Sequence, residues 1–324
     1  MNLLITGGAG YVGSHCTKRA VAAGHKCVVF DNLKSGHKEF VRWGPLIHAD
    51  IRDTSAIRRA LSEYNIDAVM HFAALAYVGE SVDQPASYYD VNVNGTRVLL
   101  DAMVATNVKQ LVFSSSCAIY GQPEIIPISE ESTPLPINPY GFTKFACERM
   151  ISDYSLAYGL HSVCLRYFNA AGADPDCEIG EDHDPETHLI PLVLDTALRR
   201  RNSVAVFGDD YATADGTAVR DYVHVADLAD AHTAALSYLE NGGDSVVMNL
   251  GTGCGISVNE LILKSQNITG RAIHSVRSPR RTGDPAELIA KPGLAKDLIG
   301  WEPRRSNLEV MLADAWAWHI KRFA

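Results

Sequence analysis

The sequence predicts an α/β chain: a doubly wound parallel sheet with a smaller C-terminal α/β lobe that binds substrate. Three observations predict it. Leu3 to Thr6 is a short run of β-formers that opens into Gly7, Gly10 and Gly13, after which Val12, Cys16, Ala20 and Ala23 recur at helical spacing. Short apolar segments then alternate with amphipathic ones as far as Tyr167, the pattern of β-α-β units. Beyond Asn169 that alternation gives way to an acidic loop, Gly172 to Thr187, and to interspersed short elements.

Each glycine of the first turn has a mechanical job. The first permits the turn, the second lets backbone approach a pyrophosphate, and the third lets the helix lie close on the sheet. Phosphates would then meet free N–H groups at the helix start. Gly24 stops this helix, Cys27 to Phe30 reads as a buried strand, and Asp31 stands at its end, 18 residues beyond Gly13. An acid there binds ribose hydroxyls and repels a ribose phosphate, so this Rossmann-type unit is expected to take NAD rather than NADP.

The elements that follow keep the same rhythm. A short strand near Leu46 precedes a helix capped by Asp53 or Thr54, in which Ile57, Leu61 and Tyr64 share a face. Ala68 to Phe72 is the next strand, and the small-residue loop Phe72 to Ser81 falls where an open sheet binds its ligand. Asp50, at a strand end, suits either an adenine contact or a helix entry. A long helix is expected from Pro85, with Tyr89, Val93, Leu100 and Met103 as its stripe; Leu99 and Val104 widen its apolar surface enough for a second partner. Gln110 to Phe113 is a fifth strand ending in Ser114, Ser115 and Ser116; a proline-rich loop, Pro123 to Pro139, delivers the chain to a helix from Tyr140 to Tyr158. The strand Ser162 to Tyr167 completes a sheet of about six strands. The boundaries expected are 1–170 for the nucleotide-binding domain, with later segments able to return to it, and 171–324 for the substrate lobe.

Bulk properties narrow the function. The chain has 324 residues, 47% of them hydrophobic, and a formal net charge of −9 that opposes nucleic-acid binding. No apolar run approaches the ~20 residues of a membrane span, so no membrane partner is expected and the chain is placed in the cytoplasm. Seven scattered cysteines without CxxC spacing suit reduced thiols and suggest no metal site. Positive charge clusters only locally, at Arg199 to Arg201 and at Arg280 to Arg281; the second pair is the better placed for a small polyphosphate.

Tyr140 and Lys144 lie four apart on the expected helix and project from one face. An ammonium and a positive nicotinamide would stabilise the phenolate, which makes the tyrosine a usable acid and base. Composition alone yields about 0.4 such spacings, so the pair gains weight only from Ser116, whose hydroxyl could bond the same substrate oxygen. At least one of the three serines is expected to cap backbone instead. A Ser-His-Asp hydrolase is disfavoured by the lack of a GxSxG elbow.

Together TGGAGYVGSH, the spacing from SSS to YGFTK, RYFNAAGA, GDDYATADGTAVRDYVHVADLADAH, MNLGTG and RRTGDPA resemble the UDP-glucose 4-epimerase family of the extended short-chain dehydrogenase/reductase superfamily. The resemblance covers nearly the whole chain. It implies NAD held through turnover with no net redox change, and Tyr140, Lys144 and Ser116 as the catalytic set. It puts cofactor contacts on Gly7, Gly10, Tyr11, Val12, Gly13, Asp31, Asn32, Leu33, Asp50, Ile51, Phe72, Ala73, Ala74, Asn92, Ser114, Tyr140, Lys144 and Phe168.

On the substrate side the resemblance implies a UDP-sugar held by Ser116, Tyr140, Asn169, His188, Leu189, Phe207, Arg220, Arg281, Asp284 and Leu288. The two arginines would take the diphosphate, Phe207 the uracil and Asp284 the ribose. For Arg220 the residues alone favour an internal salt bridge to Asp221 or Asp227. The sequence departs from some relatives: Ala76 stands where they carry a cofactor-binding lysine, Val91 where they carry an asparagine whose role passes to Asn92, and His188 at a diphosphate asparagine. Leu288, of intermediate size, lines the wall linked to N-acetylated sugars. A 4-epimerase of another UDP-sugar is the near alternative; a dehydratase would need an acid pair that Ser115, Ser116 and Cys117 do not supply. A homodimer through the helices from Pro85 and Tyr140 is expected.

Overall fold

The structure, a computed structural model, describes residues 1–324 apart from Thr282. The chain first lays down β1 (Asn2–Thr6), β2 (Lys26–Asp31), β3 (Leu46–His48), β4 (Ala68–His71), β5 (Gln110–Ser116) and β6 (His161–Tyr167). It leaves the sheet for β7 (Asn169–Ala171), β8 (Val204–Phe207) and β9 (Val219–His224), then returns as β10 (Val246–Leu250). β10 pairs in parallel with β6, Val246 opposite Val163, giving the order β10-β6-β5-β4-β1-β2-β3. The expected sheet of about six strands therefore has a seventh. An apolar run of five residues cannot announce a partner some eighty residues earlier.

Strand alternation splits the apolar residues between two cores. Leu4 faces one side with Phe30, Ile57, Leu61, Leu100 and Ile151, beneath α2 (Thr54–Glu63) and later helices; Leu3 and Ile5 face the other with Cys16 and Ala20 of α1 (Tyr11–Ala22). Asp53 caps α2 by accepting from Ser55 and Ala56 N–H, 3.0 Å each.

The helix expected from Pro85 is interrupted. After α3 (Val78–Asp83), α4 (Pro85–Tyr88) passes into a π-type turn, Tyr89–Asn94, before α5 (Gly95–Ala105). The wider turn carries Asn92 inward, where it bonds Leu75 and Thr143, a contact that helical periodicity does not reveal. Leu99, read with Val104 as widening the apolar surface for a second packing partner, is fully buried in the sheet core, while Val104 is half-buried. α6 (Pro139–Tyr158) starts at Pro139, is capped by Asn138 at 2.8 Å from Gly141 N, and ends at Gly159 in a left-handed conformation.

The remaining elements are α7 (Leu189–Ala197), α8 (Val225–Glu240), β11 (Gly255–Ser257), α9 (Val258–Thr269), β12 (Ser275–Ser278), β13 (Glu287–Leu288), α10 (Leu294–Ile299) and α11 (Leu308–Phe323). β9 is flanked by β7 and β13 in parallel and by β11 in antiparallel, and β8 pairs with β12. α7, α9 and α11 share a separate core, whereas Leu228 and Leu236 of α8 pack on the nucleotide-side sheet. The proline-rich loop joins the two parts: Ile128 N donates to Ile289 O and Lys291 N to Ile128 O, both at 2.8 Å. Among the described residues no helix is long and apolar enough to cross a membrane.

Candidate active site

The first turn is built around contacts that no side chain would survive. Gly7 has φ +72°, and a Cβ there would lie 2.5 Å from Ala73 N; one on Gly13 would lie 2.2 Å from the Gly7 carbonyl oxygen. Gly10 is the N-cap of α1, and no side chain caps that end, so the backbone there presents bare N–H groups near Tyr11 and Val12. This is a cradle for a pyrophosphate. Asp31 is buried at the adjacent strand end, accepting from Ala9 N at 3.0 Å and Leu33 N at 2.8 Å, and burial pushes its carboxyl above its ordinary pKa. Its remaining lone pairs suit two ribose hydroxyls.

Around this cradle the other cofactor candidates take several places. Asn32 donates to Asp50 at 3.0 Å, and Asp50 is gripped by Arg52 at 2.7 and 2.9 Å, which holds its carboxyl well below the usual range. Helix entry belongs to Asp53 rather than Asp50. Leu33 sits at φ +56°, and buried Ile51 packs against Gly95. Phe72, Ala73 and Ala74 follow β4 past the Gly7 turn, and Phe168 is buried beside Cys117 and Tyr120. Ala76 is exposed on the same loop. The Asn92 amide accepts from Leu75 N at 2.8 Å and donates to Leu75 O and to Thr143 Oγ1 at 3.0 Å each. With both amide protons engaged, it positions the loop.

The serines are the last residues of β5 rather than a loop, so strand alternation sorts them. Ser115 donates to Glu148 Oε1 at 2.5 Å, on the α6 side, where Glu148 also grips Arg166. Ser114 pairs with the Tyr167 hydroxyl at 2.6 Å. Ser116 caps the following turn, accepting from Ala118 N at 3.1 Å, and its hydroxyl near the Tyr140 phenol favours the phenolate. It serves both readings left open by the sequence.

Tyr140 and Lys144 stand on the first two turns of α6. Burial pushes the phenol up to about 12 and the ammonium down to about 8. Lys144 Nζ donates to Ser114 O at 2.7 Å and lies 5.0 Å from the centre of the Phe113 ring. Its charge is thus engaged by the strand-end carbonyl, and in the protein alone burial dominates the phenol. A positive cofactor ring would act in the opposite sense, favouring the phenolate. Behind them a buried network fixes α6 to the sheet: Arg166 bonds Glu148 and, at 2.8 Å, Tyr120 Oη, which donates to Asn249 Oδ1 at 2.7 Å.

On the opposite wall the candidates find one another. Arg220, on β9, pairs with Asp284 and donates to Val219 O at 2.7 Å. Neither Asp221 nor Asp227 is its partner, which corrects the internal pairing the residues alone favoured. Asp221 accepts from Thr252 and Gly253, and Asp227 from Arg305 N and Ser306. Leu288 stands beside Arg220 in register, and Asn169 opposite Tyr222. The Arg281 guanidinium lies 4.0 Å from the Phe207 ring centre, whereas Arg280 is engaged by Asp210 and Tyr211. Leu189 opens α7, and His188 is its N-cap residue.

His188 has company that cysteine spacing could not disclose. Glu181, His183, Glu186 and His188 bring two imidazole Nδ1 atoms and two carboxylates within 4.8 Å of one another. Burial opposes charge on both rings, and the paired carboxylates overcome it, raising His183 to about 9 and His188 to about 10. The signal was present as E-x-H-x-x-E-x-H.

Comparison with known proteins agrees with this geometry. Residues 3–251 match the family described as the NAD dependent epimerase/dehydratase family. The chain is 50% identical over 321 residues to a UDP-glucose 4-epimerase of Rhizobium meliloti (strain 1021), covering 99% of this chain and 98% of that one. Against a UDP-glucose 4-epimerase of Halalkalibacterium halodurans it is 50% identical over 319 residues, 98% of this chain and 96% of the other. Among solved structures, a UDP-glucose 4-epimerase from Brucella ovis in complex with NAD is 48% identical with a TM-score of 0.96, over 98% of this chain and 97% of that one. One from Bifidobacterium longum in complex with NAD+ and UDP is 37% identical with a TM-score of 0.94, over 99% of each chain.

Proposed function

The chain belongs to the NAD dependent epimerase/dehydratase family, and from that premise we propose that it interconverts UDP-galactose and UDP-glucose through a 4-keto sugar. NAD is its cofactor, and the close-approach glycines, uncapped helix start and buried Asp31 fit that group. When bound, NAD+ supplies a reversible hydride acceptor for sugar C4. The observation that carries the reading is half-buried Tyr140 on the first turn of α6, four residues before Lys144, with Ser116 at the end of β5 beside it favouring the phenolate.

Tyr140 Oη takes the proton of the 4-hydroxyl as C4–H is lost and C4=O forms, and returns it after the hydride comes back on the other face. Ser116 Oγ holds the same oxygen throughout. Lys144, anchored by Ser114 O, orients toward the nicotinamide ribose and favours the phenolate by its charge. Arg220 and Arg281 pair the diphosphate, Phe207 lies at the uracil and Asp284 at the ribose, so an anchored UDP leaves the hexose free to turn over. Residues 171–324 supply most of that lobe, and β10 and α8 return to the nucleotide side. Leu288 sets how large a C2 substituent enters; a UDP-sugar panel ranks the substrates.

Exposed Tyr89, Phe142 and Leu156, on the π-type turn and α6, support a homodimer through that face, read by light scattering. The enzyme acts in the cytoplasm; its described cysteines are all unpaired, as a reducing compartment keeps them. The purified protein, given UDP-galactose and no added NAD, yields UDP-glucose. Absence of conversion even with NAD added would overturn the reading.

A further inference from the structure

Two clusters of acidic and metal-ligating side chains lie outside the catalytic set, and they differ in what neutralises them. Asp174, Asp176 and Glu178 converge on the Lys18 ammonium, at 2.8, 2.9 and 2.7 Å. That cluster already has its cation. Glu181, His183, Glu186 and His188 have no lysine or arginine among their ion-pair partners in the described residues. We propose that these four side chains bind one divalent transition-metal ion of the zinc class.

The distances and directions carry this assignment. His183 Nδ1 lies 3.4 Å from Glu181 and 3.5 Å from Glu186; His188 Nδ1 lies 2.8 Å and 3.3 Å from the same carboxylates. A tetrahedral ion with bonds of about 2.0–2.2 Å to nitrogen and oxygen separates its ligand atoms by about 3.3–3.6 Å. Three of the four separations fall on that edge length and the fourth is half an ångström shorter, with Glu181 presenting Oε1 to both rings and Glu186 presenting Oε2 to His183 and Oε1 to His188. A set of imidazolium–carboxylate hydrogen bonds would explain the same distances only if each N–H pointed at an oxygen. They do not: both Nδ1 atoms are buried, yet neither makes a hydrogen bond. Two nitrogens that approach two carboxylates without a well-directed hydrogen bond to either are free to donate their lone pairs to a cation between them.

The donor chemistry agrees. Two neutral imidazoles suit zinc and its neighbours rather than magnesium or calcium, and two carboxylates balance a dication, leaving a half-buried site with no net charge. Supporting contacts hold the ligands: Glu186 Oε1 accepts from Thr187 N at 2.6 Å and His188 N at 2.7 Å, and Tyr11 and Tyr77 set ring edges against His183 at 6.2 and 5.8 Å between centroids. Four protein ligands close the coordination sphere, so the ion is structural. It ties the 181–188 segment, and with it the N-cap of α7, to the glycine-turn helix through Tyr11 and to the post-β4 loop through Tyr77.

The test reads metal rather than activity, so it stands or falls apart from the epimerase assignment. The full-length protein is stripped with a chelator, incubated with Zn2+ or Co2+, desalted, and assayed for metal and visible absorption. Expected are about one ion per chain, the strong visible bands of tetrahedral Co2+, and a raised melting temperature on reloading. His183→Gln and Glu186→Gln each lower the affinity at least about tenfold, whereas Asp174→Asn leaves the stoichiometry unchanged. Three results overturn the site: substoichiometric metal in the wild type, the weak bands of octahedral Co2+, or full metal content in both ligand variants. Should a variant fail to fold, the wild-type cobalt spectrum decides.

Discussion

The two walls of the cleft are held by different means. The nucleotide-side wall rests on backbone: β2 and β5 place Asp31 and Ser116 by sheet register, the first turn of α6 carries Tyr140, and a buried Glu148–Arg166–Tyr120 network locks α6 behind them. On the facing wall the candidate residues come from separate segments and steady one another, Arg220 against Asp284 and Arg281 against Phe207. Histidines show the same contrast. His15 and His71 are pushed down to about 3 and His232 to about 4 by burial, while His183 and His188 are pushed up by carboxylates. The histidines of one wall are set by exclusion of water and those of the other by pairing of charge, and substitutions in the two should fail differently.

The largest effect is expected from Tyr140→Phe, which keeps the packing and removes the proton carrier. The kcat for UDP-galactose should fall at least about 10³-fold with the melting temperature unchanged; full activity would remove Tyr140 from the mechanism. Next comes Arg166→Met, which leaves Glu148 buried without its cation. Urea unfolding should show a loss of about 3–5 kcal/mol, largely recovered when Glu148→Leu is added. No loss would mean that the network does not hold this wall.

On the facing wall, Arg220→Ala should raise KM for the UDP-sugar far more than it lowers kcat, by about 2–3 kcal/mol, since it removes a charge that binds but does not react. A pure kcat defect would place Arg220 with the chemistry instead. The histidine contrast makes the next prediction. His71, held neutral between Thr6 and Thr96, has a folded pKa near 3 against 6.5 unfolded. Between those values the unfolded chain binds the extra proton, so stability falls as pH drops from 6.5. His71→Gln should flatten that decline by about 1.4 kcal/mol per pH unit, measured by denaturation at several pH values. The smallest effect is that of Arg281→Ala, which loses a guanidinium–ring contact; KM should rise about two- to fivefold.

Much of the nucleotide-side wall was legible because its signals are local. Glycine spacing, the acid after the second strand, the serines ending β5 and the four-residue step from Tyr140 to Lys144 are all read within one or two elements. Where that reading failed, a distant contact intervened. The π-type turn that interrupts the helix expected from Pro85 exists where Asn92 meets Leu75 and Thr143, partners that lie in distant segments.

By itself the sequence determined the β-α-β repeat, the glycine turn and the four-residue step from Tyr140 to Lys144 on one helix, since strand and helix periodicity and the steric freedom of glycine act over a few residues. Tertiary structure alone decided that Val246–Leu250 is the seventh strand, that Arg220 meets Asp284 and not Asp221, and that two histidines and two glutamates come together within 4.8 Å. Those outcomes depend on packing between segments, and on how each side chain is aimed once the backbone is fixed.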